Sequence, residues 1–164
     1  MRLYRARAWR SGAPTFDPLD SSGSIDGAGW RFNDANTEIL YAATAQALAT
    51  LEVAVRPGWE TVKEVLIATI DLPDGLVVDP ADLGIRLPGN WNARPVATAS
   101  RSIAREFLNA IAPIPVSSRP TGLRVPSVLS QSDYNVLIDP TRKASYSARL
   151  THRLPFNTLL TTGS

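Results

Sequence analysis

The chain has 164 residues, 44% hydrophobic and 20% charged, with a formal net charge of +2, no cysteine and one histidine, His152. That size and apolar content fit one compact domain with a continuous core. The absence of cysteine excludes disulfide frameworks, thiol nucleophiles and cysteine-ligated zinc, and a lone histidine supplies no triad of the usual kind, so catalysis would rest on carboxylates, hydroxyls and cations.

The charge is unevenly spread. Residues 1–85 carry seven Lys or Arg against twelve Asp or Glu (−5), and residues 86–164 carry ten against three (+7). Either the two halves interleave in the fold, or they build a cationic groove for phosphates or an acidic partner. The dense basic clusters or interleaved aromatics of a nucleic-acid module are not evident, so no direct nucleic-acid partner is expected. The basic N-terminus runs into no apolar segment of signal or membrane-spanning length, which makes a soluble cytoplasmic protein without membrane contact the expectation.

Leu3-Tyr4-Arg5-Ala6 reads as an opening strand. Pro14 to Gly29 is a polar loop rich in Gly, Ser and Asp, a candidate substrate lid that delivers the chain to Gly29-Trp30-Arg31-Phe32-Asn33. Ile39 to Ala42 is a short strand, Thr44 an N-cap, and a helix runs to about Val55 before Pro57-Gly58. Val62 to Leu72 is a β-rich run ending at Pro73-Asp74-Gly75, a turn from which Leu76 to Val78 continues the sheet. Thr98 to Ile111 is a second helix, with Ile103, Phe107 and Ala110 inward, Arg101, Arg105 and Glu106 toward solvent, and Pro113 as its stop. Leu123–Val125, Tyr134–Ile138 and Arg149–Leu154 add three short strands. Strands outnumber helices and do not alternate strictly with them, which predicts an α+β domain with a mixed, twisted central sheet and a few helices.

Several polar residues stand where chemistry could use them. On a helix Glu52 shares a face with Leu48, Ala49 and Val55, which brings its carboxylate to the edge of the core; an ordinary surface glutamate would look the same. Arg31 offers a rigid fork suited to phosphate or carboxylate, or to a structural ion pair. Tyr41 presents a flat face and a hydroxyl, or a core side chain. Ser127 follows Pro126, which fixes the backbone before it and leaves either an outward hydroxyl or a plain turn serine. Asn135 lies in an otherwise apolar strand, where its amide must find hydrogen-bond partners at a site or in a bridge between loops.

The ordered set Leu3-Tyr4-Arg5, Gly29-Trp30-Arg31-Phe32-Asn33, Tyr41, Ala49-Thr50-Leu51-Glu52, Val125-Pro126-Ser127 and Asn135 to Pro140 resembles the RES-domain family, toxins of bacterial toxin–antitoxin modules. The likeness spans nearly the whole of residues 1–164, as one RES-type NAD-consuming domain. It implies an ADP-ribosyltransferase-like fold and NAD as substrate with no metal, with Arg31, Glu52 and Ser127 as catalytic residues and Arg31, Tyr41, Ser127 and Asn135 as dinucleotide-binding ones. The chain departs from the usual Gly-Gly-Arg-Trp-Asn at Trp30, which narrows the approach to the site, and has Asp139-Pro140-Thr141 where the family has an Asn-Pro-x-His type element. The resemblance also implies an Xre-like antitoxin with a helix-turn-helix domain, in hetero-oligomeric complex with the toxin, and it leaves the ADP-ribose acceptor open among water, phosphate and a cellular protein. Asp34, Glu38 or Glu60 would be the second acid of a transferase. Two other classes compete: a non-catalytic module that binds a nucleotide or an acidic partner, and an RNA-cleaving toxin, against which the single histidine counts.

Overall fold

A computed structural model describes residues 1–9, 16–55 and 62–156. Among them runs a seven-stranded sheet in the order β4-β5-β6-β2-β1-β3-β7. The strands are β1 (Arg2–Trp9), β2 (Leu40–Ala43), β3 (Glu64–Asp71), β4 (Val77–Val78), β5 (Gly122–Pro126), β6 (Tyr134–Ile138) and β7 (Ser147–Pro155). Helices α1 (Gln46–Ala54) and α2 (Ile103–Ile111) complete it, with short 3-10 turns between. All pairings are antiparallel except β4 with β5. The sheet is therefore mixed and the class α+β.

Strand alternation sorts the apolar side chains into two layers. Tyr41 stands opposite Leu137, which stands opposite Leu123. This row packs with Ile103, Phe107 and Ile111 of α2. Each of those three helix side chains is at most 1% exposed, worth about 1.5–3 kcal/mol apiece by burial. Helix α1 covers the neighbouring stretch of the same face, with Leu48 and Ala49 against Ala43, Tyr4 and Ala6. The intervening positions Leu40, Ala42, Val136 and Ile138 form the opposite layer with Leu3, Ile70 and Tyr146. Burial raises the Tyr146 pKa to about 12, so its phenol stays protonated there.

The sheet is not equally knit. Strands β1 and β3 pair over eight positions, from Arg2–Asp71 to Trp9–Glu64. Strands β1 and β2 meet at one, Tyr4 opposite Ala43, and diverge beyond it.

Leu76–Val78 continues the sheet after the Pro73-Asp74-Gly75 turn, as expected, with β4 crossing to the far edge and pairing parallel to β5. Three expectations are corrected. Thr44 does not cap α1, whose N-cap is Ala45; its hydroxyl donates to the Tyr134 carbonyl (3.2 Å) and accepts from the Tyr134 N–H (3.0 Å), tying β2 to β6. Val55 is not on the buried face, because α1 ends at Ala54 and its C-cap is 49% exposed. The first turn of the second helix, Thr98–Ser102, is 3-10, and α-helix begins at Ile103. Pro14, Pro57-Gly58 and Glu60 lie outside the described residues.

The charge halves interleave. Strands β5 and β6 lie between β4 and β2, and Arg105–Asp34 (2.6 Å) and Arg124–Asp79 (2.5 Å) join the basic half to the acidic one. No helix among the described residues is long and apolar enough to cross a membrane.

Candidate active site

A cavity of about 840 Å³ opens where β1 and β2 part. That volume is in the range of small-molecule and cofactor sites. Glu52, Asn135, Tyr41, Trp30, Arg31 and Arg94 all line it.

Glu52 reaches it from the second turn of α1, half-buried between Leu48 and Ala49 on one side and the exposed helix end on the other. Its Oε1 accepts a 2.9 Å bond from Asn135 Nδ2 and a longer 3.4 Å bond from Ser127 Oγ. The donors come from adjacent strands, since Asn135 on β6 stands opposite Val125 on β5, two residues before Ser127. Asn135 shares a sheet face with Leu137, the face that α1 and α2 cover, so its amide is aimed at α1. Ser127 is buried, and its oxygen also accepts from the Leu129 N–H (3.0 Å), which fixes the hydroxyl toward Glu52. Both bonds fall on one oxygen. Oε2 has no partner among the described residues, and no cation pairs with the carboxylate there.

The opposite wall is built around Asn33. Gly29 has φ +78°, and a Cβ on it would lie 2.6 Å from the Asp34 carbonyl carbon and closer still to the Asn33 oxygen, so only glycine fits this turn. The turn brings Trp30 N–H onto the Asn33 carbonyl (2.9 Å). Asn33 is fully buried: its Nδ2 donates to the carbonyls of Ser24, Asp34 and Thr37, and its Oδ1 accepts from the Tyr41 hydroxyl (2.9 Å). Tyr41 Oη in turn accepts from the Phe32 N–H (3.2 Å). The tyrosine hydroxyl is thus committed to the scaffold, and what it offers a ligand is its ring, 5.7 Å from the Trp30 ring. The indole N–H of Trp30 donates to the Gly23 carbonyl (2.8 Å), which stands the ring in the cavity wall.

Arg31 forms no ion pair with an acid among the described residues. Its Nη1 donates to the carbonyls of Trp91 (2.9 Å) and Ala93 (3.1 Å). Burial and then the nearby charge of Arg94 lower its pKa, against an opposing pull from Glu52. An arginine starts so high that it stays charged at physiological pH. The structure therefore brings Glu52, Ser127 and Asn135 into direct contact, and places Arg31 and Tyr41 on the same cavity.

The loop expected as a lid forms a wall. Its described part is tied down by Arg5 to the Pro18 carbonyl (2.8 Å), Arg7 to Asp20 (3.1 Å), Ser21 to Glu38, and Trp30 and Asn33 to Gly23 and Ser24. Two of the candidate second acids are engaged elsewhere. Asp34 is bonded by Thr37 and paired with Arg105, which together hold its carboxyl below the usual range, and Glu38 holds Ser21. Asp139 caps its own 3-10 turn by accepting from Thr141 N and Oγ1 (2.9 and 2.7 Å), so Asp139-Pro140-Thr141 serves the fold. Sequence reasoning missed Arg94, an exposed arginine in an irregular stretch without periodicity, and the part of Asn33 as a hub, which a buried amide in a polar motif could have signalled.

A family model described as RES domain matches residues 2–158. The chain is 31% identical over 129 residues to Toxin Res of Photorhabdus laumondii, covering 76% of this chain and 77% of that one. It is 33% identical over 143 residues to the Prs ADP-ribosylating toxin of Sphingobium sp., covering 80% and 81%. Toxin Res of Pseudomonas putida is 31% identical over 147 residues, covering 87% and 90%. With the order of its motifs kept and a match running over nearly its whole length, the protein belongs to the RES-domain family.

Proposed function

We propose that the protein is the toxin of a toxin–antitoxin pair and that it cleaves the nicotinamide–ribose bond of NAD, passing ADP-ribose to an acceptor. The observation that carries this reading is the Glu52 carboxylate, aimed into the cavity with one oxygen held by Asn135 and Ser127 and the other without a partner among the described residues. The family and a relative named as an ADP-ribosylating toxin support it.

The chemistry needs little else. As the glycosidic C–N bond breaks, its electron pair leaves with nicotinamide, which departs neutral, and positive charge builds on the ribose. A fixed carboxylate stabilises that oxocarbenium-like state and holds the ribose hydroxyls, as in glycoside hydrolysis. Because the leaving group needs no proton, no general-acid histidine is required. The partnerless Oε2 is the oxygen for this work, and the bonds to Oε1 fix the carboxylate's orientation in advance. Tyr41 and Trp30 supply ring faces for nicotinamide or ribose, and Arg31 supplies positive charge toward the phosphates.

The test is to incubate purified protein with NAD and follow nicotinamide. Release by wild type that is lost in Glu52→Gln supports the reading; no release with water, phosphate or cell lysate as acceptor overturns it. Intact-mass measurement of lysate proteins after the same incubation separates transfer to protein from hydrolysis or phosphorolysis. The antitoxin we infer is an Xre-like helix-turn-helix protein that blocks this cavity, and co-expression of the neighbouring gene with relief of growth arrest tests it.

A further inference from the structure

Arg94 stands out on the cation wall. It lines the cavity and is exposed, and it has no hydrogen bond or ion pair with any described residue. Arg31 lines the same cavity and bonds the carbonyl of the residue immediately before Arg94, which brings the two cations to one wall. Burial and then the charge of Arg94 lower the Arg31 pKa, against opposing pulls from Glu52 and Tyr41, as expected of like charges on one wall.

The stretch that carries Arg94 is held in place by the Arg31-Phe32 dipeptide. Arg31 Nη1 grips the carbonyls of Trp91 and Ala93, the latter immediately before Arg94. The Trp91 ring stacks on Phe32 with centroids 6.2 Å apart and planes 22° from parallel. Phe32 is itself 1% exposed and packed in the α2 core. A fully buried ring and a two-carbonyl clamp thus fix the backbone that presents the Arg94 cation to the cavity. Nη2 and Nε of Arg31 make no bond among the described residues, so both arginines keep donors for an anion.

We propose that Arg94 is a second substrate-binding cation, which forms with Arg31 a two-guanidinium clamp for a pyrophosphate, and that Arg31 also positions it by holding the loop. This deepens the NAD reading and rests on it for the identity of the dinucleotide. A pyrophosphate fits because it offers charge on two adjacent groups, and planar guanidinium forks match phosphate oxygens in pairs.

The test is calorimetric titration of ADP, which carries the pyrophosphate, and of adenosine, which lacks it, into the full chain. Arg94→Ala is expected to weaken ADP about tenfold or more, the size of a charge-assisted contact, with adenosine binding and thermal stability unchanged. Arg94→Lys recovers part of the loss, and Arg86→Ala, an exposed arginine off the cavity, changes nothing. Arg31→Ala weakens ADP as well, and Arg94→Ala added to it weakens ADP less than it does in the wild-type background, because the clamp is already displaced. ADP bound by Arg94→Ala within about twofold of wild type, or equal losses for ADP and adenosine, overturns the proposal. So does a wild type that does not bind ADP. The NAD reading fails separately: a protein that binds ADP through Arg94 yet releases no nicotinamide keeps the anion clamp and loses the cleavage reaction.

Discussion

The two walls of the cavity are made differently. The carboxylate wall is regular structure: Glu52 sits on a helix, and the groups that hold it come from β6 and the end of β5, two strands in register with each other. The cation wall is irregular chain, kept in shape by a glycine turn, a buried amide and carbonyls gripped by side chains. A charge that stabilises a transition state must not move, and sites on helices and strands achieve this best. Charges that receive a flexible pyrophosphate can sit on loops, where small adjustments do no harm.

The sharpest way to break that contrast is Glu52→Gln, which keeps the shape and the Asn135 geometry and removes the charge. Nicotinamide release is expected to fall by roughly 10²–10³-fold, with little change in melting temperature, because the loss is electrostatic and not of packing. A large drop in melting temperature with modest loss of turnover would make Glu52 a structural residue.

Asn33→Ala strikes the other wall through its scaffold. Five bonds converge on this side chain, counting the 3.3 Å contact from Trp30 N–H. Leaving several buried carbonyls and a hydroxyl unsatisfied is expected to destabilise by about 3 kcal/mol or more in urea unfolding. Near-wild-type stability would show that the loop wall does not depend on its hub.

Finer cuts compare the two holds on Glu52. Asn135→Ala removes the 2.9 Å bond and is expected to lower kcat by roughly tenfold with little change in KM, since orientation is lost but not the substrate contacts. Ser127→Ala removes only a 3.4 Å bond to the carboxylate, so its effect on kcat is smaller. It also removes the acceptor of the Leu129 N–H, worth about 1 kcal/mol of stability. The reverse order of kcat effects would show that Ser127 acts on substrate directly.

The smallest effect expected is with pH. Asp34, Asp79 and Asp20 have carboxyls held below their ordinary value by hydroxyl, arginine or backbone donors. A depressed folded-state pKa means that the unfolded chain binds protons first as pH falls. The stability from these groups is complete above the unfolded value, about 4, and is lost as pH drops through the lower folded values. The pairs are partly exposed, so the slope is shallow in salt. Chemical denaturation between pH 6 and 2 measures it, and Asp79→Asn should flatten part of the fall.

What could be read from the chain was set by local pattern. The β-branched run around Val65 to Ile70 and the spacing of Ile103 and Phe107 mark a strand and a helix because burial on one face leaves a period in the sequence. The partner of a strand leaves no such mark: nothing in Val77-Val78 says that it crosses the sheet to β5. Thr44 looks like any helix cap until Tyr134 is beside it. Glu52, Ser127 and Asn135 are 75 and 83 residues apart in their two contacts, so only the order of family motifs could join them before the fold did. Arg94 belongs to no motif quoted and to no periodic element, and its place is fixed by Trp91 and Ala93 carbonyls that any residue type would supply.

The single register pair between β1 and β2 gives the molecule a tunable joint. Tyr4 and Ala43 meet beneath Leu48 and Ala49 of α1, so the splay of the two strands is governed by the bulk of a few apolar side chains. Exchanging Ala43 or Ala49 for a larger residue would wedge the seam and change the cavity's width while every polar group on either wall stayed the same amino acid. Substitution at these small residues is then a route by which the cavity's fit to a ligand can be retuned while the polar groups on both walls are inherited intact.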